Sequence, residues 1–506
     1  MTTTRSSWWG LLALCLPMLI VSMDVSVLFF AVPDIAADLR PSPAQQLWIF
    51  DVYGLVLAGL LLTMGAVADR VGHRRLLVIG AMLFSGASLL AAFSTSAEML
   101  IGARAILAVG GATLMPSTLA LIRHLFVDDA ARATAIGAWS AVMAGGVAVG
   151  PIVSGLLLEH FWWGSVFLIN VPVMVALLIA APVLLPGGTG DRTRRIDVVS
   201  AALALGAILP TVGAVKALGT DGLTPTALAV LTAGLALGVV FVQRQLVLSH
   251  PLMELRLFSD RRFAASIAVN LMAMLGVVGN AVLVTQYLQS VLGYSPLTAA
   301  LWSLAPTVVV AVVAPTSTTV AARFGRPAVM AGGLVVAASG FLTTWGGGTS
   351  SLWVMLAAST LIAGGLVASA TVVADHVVGV APADRAGAVA GMLETSSELG
   401  GAIGIAVLGT VLTAVYRATV DTSVPGVTGP AADGLGGAVA TADRIGGDAG
   451  RAVLDAARTA YVDGLHVAAT CAAVVLATVA VITWRTGCPS FESTSPNNPR
   501  REVARD

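Results

Sequence analysis

Lysine appears once in 506 residues, at Lys216, and charged residues of both signs make up only 11% of the chain. A soluble domain carries about 25%. With 57% hydrophobic residues and a mean hydropathy of +0.91, no soluble fold of this size could hide its apolar surface, so the solvent must be lipid. Net charge is zero, which excludes a nucleic-acid partner held by bulk basicity. Three cysteines are present: Cys15 and Cys471 lie in apolar runs and Cys488 in a polar tail. They form neither a disulfide framework nor a metal-binding spacing. A Walker loop and a catalytic triad are also missing. The chain is therefore expected to be no enzyme and to need no metal or cofactor.

What is there is a succession of apolar runs. A membrane span needs about 20 apolar residues. Fourteen candidates are found, near 9–31, 44–67, 76–94, 98–121, 134–157, 164–186, 197–216, 224–243, 263–288, 297–321, 328–346, 351–373, 386–415 and 464–485. The first run resembles a secretory leader, but it carries Asp24 and continues to Pro33, so it is read as a retained span. With both ends cytoplasmic, 20 basic residues fall on the inner side and 6, counting Lys216, on the outer. This asymmetry is what the positive-inside rule requires. Trp8, Trp9, Trp162, Trp163 and Trp484 near span ends are expected to be interfacial anchors.

The chain also repeats itself. Ala68, Arg70 and Gly72 return as Ala321, Arg323 and Gly325 at an offset of 253, half the chain length. Ser42-Pro43 returns as Ser295-Pro296, Gly110-Gly111 as Gly364-Gly365, and Gly146 with Gly150 as Gly400 with Gly404. Spans 1–6 and 9–14 are thus parallel copies, and spans 7 and 8 are an insert. Six plus six in the same orientation is the arrangement of transporters whose halves rock about a midplane site. The expected units are a first six-helix bundle over 1–186, a linker with two inserted helices over 187–250, a second bundle over 251–486 and a cytoplasmic tail over 487–506. The outer segment 417–463 is a connector or a lid, and 448–463 within it has helical periodicity.

An ionisable group inside a span costs about 2.5 kcal/mol or more and is a functional candidate by default. Five qualify: Asp24, Asp51, Arg104, Glu394 and Glu398. Glu394 and Glu398 are four residues apart, so both carboxylates project from one helix face. Two such groups in a low-dielectric cavity cannot cheaply both ionise. The pair can hold a proton at neutral pH or attract a cation when ionised, which is the chemistry of exchange at one site. Asp24 has no basic residue within a helical turn; it is expected to couple protons or contact a cationic substrate. Asp51 lines the outer mouth, relays protons or is a hydrogen-bonded structural carboxylate. Arg104 is expected to hold a carboxylate ionised until a proton displaces it. Gly146, Gly150, Pro151 and Gly155 allow close packing and a bend in span 5. Gly65, Asp69, Arg70, Gly72, Arg74 and Arg75 form a polar loop on the cytoplasmic side, read as a latch between the halves. Glu159, His160, Asp375 and His376 are read as interfacial charges.

These motifs resemble the major facilitator superfamily, and within it the fourteen-span drug:proton antiporters. The loop Gly65-x3-Asp69-Arg70-x-Gly72-x-Arg74-Arg75, the span 4 pattern Leu100-x3-Arg104 with Gly110, and Gly146-x3-Gly150-Pro151-x2-Ser154-Gly155 carry the likeness. So does Met23-Asp24-x-Ser26-Val27 through Pro33. His73, Ser154 and the segment Trp163 to Phe167 depart from the family pattern. The resemblance implies an all-α polytopic membrane protein of the major facilitator fold, with two six-helix bundles in parallel pseudo-two-fold repeat plus two inserted helices. It further implies proton-coupled export of a hydrophobic, cationic drug or antibiotic across the bacterial inner membrane, by a monomer whose partners are drug, protons and lipid bilayer. Uptake of a nutrient such as a sugar or peptide, by symport or facilitated diffusion, is the alternative.

Overall fold

The computed structural model describes residues 5–188, 190–191, 197–220, 222–248, 251–253, 255–380, 386–423 and 430–486. The tail at 487–506, the linker arginines Arg192, Arg194 and Arg195, and Cys488 lie outside them. Seventeen α-helices and no strand occur among the described residues. The first half contains α1 (Arg5–Leu39), α2 (Pro43–Val71), α3 (His73–Ala92), α4 (Ala97–Leu125), α5 (Asp129–His160), α6 (Ser165–Leu168) and α7 (Asn170–Leu184). Then come α8 (Val198–Thr220) and α9 (Pro225–Val247). The rest is α10 (Arg261–Gln286), α11 (Pro296–Phe324), α12 (Arg326–Thr343), α13 (Leu352–Val380), α14 (Ala386–Ser423), α15 (Pro430–Asp433), α16 (Leu435–Ile445) and α17 (Gly447–Thr486). Fourteen helical stretches are long and apolar enough to cross a membrane, with α6 and α7 forming one of them. Their even number puts the start of α1 and the end of α17 on one face, the terminal face. The other is the distal face.

The repeated motifs have local physical causes. Ser42 caps α2 through Gln45, whose side chain reaches back to the Ser42 amide, and Pro43 opens the helix. Ser295 caps α11 through the Thr298 amide at 3.3 Å, and Pro296 opens that helix. Serine at the cap followed by proline satisfies an orphan amide and presets the first helical φ. At the other end, Gly72 and Gly325 have φ of 101° and 90°, and each amide closes the preceding helix on Ala68 or Ala321 at 2.8 and 2.9 Å. A side chain is disfavoured in that conformation, so the glycine returns with the loop.

Packing repeats as well. α1 lies on α5, and α10 lies on α14. A Cβ at Gly146 would meet the Leu19 carbonyl at 2.8 Å and one at Gly150 the Met23 carbonyl at 3.3 Å. In the second half, a Cβ at Gly400 or Gly404 would lie 3.1 Å from Leu271 Cα or 2.8 Å from Leu275 Cα. Small residues allow this approach where no hydrophobic effect drives helices together. Ser154, a departure from the expected glycine, donates to the Val27 carbonyl at 2.9 Å and so joins α5 to α1 by a hydrogen bond.

Two expectations change. Trp163 is not an interfacial anchor: it is buried, and its indole donates to Asp38 at 2.7 Å, tying the start of span 6 to the end of α1. Lys216 does not belong to the outer surface. It is fully buried within the protein because an acid on another helix receives it. The described part of 417–463 is largely helical: α14 runs to Ser423, and 448–463 joins the last span as the single helix α17.

Candidate functional site

Asp24 sits mid-way along α1 among groups drawn from four other helices. Arg104 Nη1 of α4 is 3.3 Å from Asp24 Oδ2, and both side chains are 2% exposed. Asn170 of α7 donates to Asp24 Oδ1 at 3.4 Å and to Ser88 of α3 at 3.1 Å. The guanidinium lies 5.2 Å from the ring centre of Tyr53 on α2. A buried charge is tolerated when it is paired and hydrogen-bonded. The sequence showed no neighbour for Asp24 because its cation is 80 residues away, on another helix.

Asp51 has a separate partner. Lys216 Nζ of α8 lies 2.8 Å from Asp51 Oδ2, and the side chains are 1% and 0% exposed. The ammonium also stands 4.1 Å from the ring centre of Trp48. The structure thus places Asp51 in an enclosed ion pair on the side of α2 facing the insert.

Glu394 and Glu398 differ from both. Among the described residues neither makes an ion pair, and neither is fully buried. Their helix is fixed from one side by Asn270 of α10, whose amide donates to Ser396 at 2.7 Å, Ser397 at 2.9 Å and the Leu393 carbonyl at 3.3 Å. Glu398 meets α2: its Oε2 is 3.7 Å from the position of a Cβ on Gly54. Beside Gly54, Tyr53 has its ring against the guanidinium that pairs with Asp24. α2 therefore touches both Glu398 and the Arg104 that neutralises Asp24, while Glu398 itself has no ion pair among the described residues. Tyr53, Asn170 and Asn270 were not singled out in the sequence, since uncharged polar residues within spans are common.

The second half carries no copy of the Asp24–Arg104 pair. Matching the glycine contacts places Gly276 at the position of Asp24; they also pair Gly110 with Gly365, one residue beyond the Gly364 that the sequence register paired with it, and so place Ser359, which accepts from Asn280 at 3.4 Å, at that of Arg104. The halves share a backbone plan and differ in charge.

The loop at Gly65 to Arg75 contacts the linker that follows span 6. The Asp191 amide donates to the Asp69 carbonyl at 2.8 Å, and Arg74 donates to the Leu185 carbonyl at 3.1 Å. Asp69 and His73 approach to 3.5 Å, and the His73 ring is 5.8 Å from that of His124. Gly72 and Gly190 allow the two strands of chain to touch. Gly65 is less crowded, its nearest neighbour being Pro116, and Arg70 and Arg75 are exposed. In the second half Arg326 pairs instead with Asp375 of α13 at 3.1 Å.

On the distal side the halves close on each other. Gln289 donates to the Phe30 carbonyl at 3.2 Å, and Ser295 to Glu159 at 3.1 Å. Gly155 of α5, a few residues beyond Pro151, leaves 2.6 Å between a Cβ and Leu297 Cα of α11. Helix α16 reaches across, with Gly436 against Ala36 of α1. It roofs a cavity lined by Leu47 and Phe50 from the first half and by Leu283, Leu412 and Tyr416 from the second.

The chain matches the family model of the Major Facilitator Superfamily over residues 14–404. It is 44% identical to the multidrug efflux pump LfrA of Mycolicibacterium smegmatis, over 95% of this chain and 97% of that protein. It is 36% identical to the methyl viologen resistance protein SmvA of Salmonella typhimurium, over 94% and 97%. Its fold is similar to that of a bacterial homologue of the human lysosomal transporter Spinster in an inward-facing, unoccupied conformation. There the TM-score is 0.66 at 18% identity, with 96% of this chain and 98% of that one covered. The nucleoside transporter NupG gives a TM-score of 0.62 at 12% identity, over 94% and 100%. The chain is a multi-pass membrane protein and belongs to the major facilitator superfamily.

Proposed function

We propose that the protein is a proton-coupled antiporter that exports hydrophobic, cationic drugs across the bacterial inner membrane, working as a monomer with both chain ends cytoplasmic. Its two moving units are the bundles at 1–186 and 251–486, with 187–250 as linker and insert. The observation that carries the reading is the contrast in charge pairing. Asp24 and Asp51 have their own cations, while Glu394 and Glu398 have none among the described residues. Two carboxylates on one face and short of positive charge form a site for a lipophilic cation. Relatives named for multidrug efflux and methyl viologen resistance support that substrate class.

The cycle follows from competition. With the distal side closed, a cationic drug enters from the cytoplasm and settles against Glu394, Glu398 and Tyr53. When the site turns outward, protons bind the glutamates and displace the cation. A proton on Asp24 removes the charge that holds Arg104, so α1 and α4 are released from each other. The linker-bound loop at Asp69 and Arg74 guards the cytoplasmic side. Everted vesicles test this reading: adding ethidium to vesicles with a preformed pH gradient should collapse part of that gradient. If the gradient never responds and cells with the protein accumulate ethidium faster, the uptake alternative replaces it.

A further inference from the structure

The inserted helices pack against the seam between the two halves. α8 touches α2 on one side and α14 on the other. Along this seam Val212 of α8 sits in a small apolar cluster with Leu55 of α2 and Ala402 and Ala406 of α14. The contact with α2 has more than apolar packing. Lys216 is the only lysine in the chain, and it is spent on Asp51 at 2.8 Å, inside the protein. Trp48 completes the seat: its ring covers the ammonium and also fills the space a side chain at Gly213 would need, 3.0 Å from the position of a Cβ. A turn and more toward the terminal face, Gly59 of α2 accepts Leu205 of α8. No such polar tie joins α8 to α14 among the described residues.

The charges on α2 give this pair a second meaning. On α2, Asp51 is two residues from Tyr53, whose ring lies against the Arg104 guanidinium that pairs with Asp24. Two buried ion pairs, Lys216–Asp51 and Arg104–Asp24, are thus both seated on α2. Without Lys216, two carboxylates would compete for one guanidinium.

We propose that Lys216 is a positioning residue supplied by the insert: it occupies Asp51, withholds that carboxylate from the substrate, leaves Arg104 to Asp24, and fixes α8 to the first half so that α8 slides over α14. The proposal rests on the transporter reading only for its transport readouts.

The test uses the full chain, purified and reconstituted, with Lys216→Met, Asp51→Asn and the double variant. Removing one partner of a buried pair leaves an uncompensated charge, whereas removing both is far milder. Each single variant should lower the thermal unfolding midpoint by about 3–5 °C and cut ethidium transport by roughly tenfold or more. The double variant should recover most of both and keep the KM for ethidium within about twofold of the unaltered protein. Full activity in Lys216→Met overturns the proposal. So does a double variant as unstable as the singles, or one whose KM rises roughly tenfold, because Asp51 would then be a substrate carboxylate. The stability arm needs no transport: absence of ethidium movement by the unaltered protein would sink the antiporter reading, while the rescue in stability would still decide the role of Lys216. A Gly59→Cys/Leu205→Cys disulfide between α2 and α8 should leave transport intact, and a Val212→Cys/Ala406→Cys disulfide between α8 and α14 should stop it. The reverse pattern overturns the sliding.

Discussion

Asp24 Oδ2 and Arg104 Nη1 lie 3.3 Å apart, buried between α1 and α4, and the corresponding place in the second half holds Gly276 and Ser359. One half carries a buried charge pair. The other carries, one helix away, carboxylates that have no ion pair among the described residues. A transporter built from two copies of one plan can thus divide its work, with one copy sensing the proton and the other contacting the drug.

Arg104→Ala should be among the most damaging substitutions in the chain. It strands Asp24 without its cation and costs about 3–5 kcal/mol. Arg104→Lys should not restore transport, because a lysine has neither the planar fork nor the stacking surface that the guanidinium presents to Asp24 and Tyr53. Asp24→Asn leaves the buried guanidinium without a counter-charge but keeps an oxygen to which Asn170 and Arg104 can donate, so it should cost less stability than Arg104→Ala, yet lose coupled exchange. Thermal unfolding in detergent and pH-gradient-driven ethidium efflux separate the two outcomes.

Glu394→Gln and Glu398→Gln should act on charge selection. Each removes one negative charge from a face that has no compensating cation, so the KM for a monovalent lipophilic cation should rise roughly tenfold. A neutral hydrophobic substrate should be moved as before. An efflux profile over cationic and neutral compounds, in a host lacking its own pumps, checks this; equal losses for both classes would remove the glutamates from the drug site.

Close helix contacts make a third prediction. Gly404→Ala pushes a methyl group into the Leu275 backbone of α10 and should destabilise by about 1–3 kcal/mol. Gly137→Ala on α5 meets nothing within 4 Å and should be neutral or stabilising by up to about 1 kcal/mol. If the two behave alike, the contacts at the repeated glycines do not carry the packing assigned to them.

The distal closure can be locked. A Cβ at Gly436 would lie 3.4 Å from that of Ala36, close to the separation that a disulfide needs. With the native cysteines replaced by serine, Ala36→Cys/Gly436→Cys should lose transport on oxidation and regain it on reduction. Transport that persists with the bond formed would show that α16 need not leave α1.

The spans were legible because lipid leaves the chain little freedom: each crossing must be about 20 apolar residues long. The repeat was legible because its serine caps, its positive-φ glycines and its contact glycines each answer a local steric demand. Glu394 and Glu398 were legible for the same reason, since a spacing of four fixes a shared face. Pairing between helices was not. Lys216 sits near the end of an apolar run, where hydropathy assigns it to the outer surface. Only the packing of α8 against α2 shows that it turns inward to an acid 165 residues earlier. The roof helix α16 escaped for a different reason: it is only 11 residues long, too short for a span, and lies in a stretch rich in Ala and Gly that was read as a connector.

The final helix, α17, has one further consequence. Its 40 residues make it about 60 Å long, roughly twice the hydrocarbon thickness of a bilayer, so part of it stands clear of the lipid. That projecting arm packs against α16 and is continuous with a span of the second half. The roof and the last span are therefore geared together. Tilting the span by about 10° would carry the tip of a 16-residue arm sideways by about 4 Å, comparable to a side-chain layer. If the second half swings, the distal roof needs no trigger of its own, because α17 would carry α16 with it.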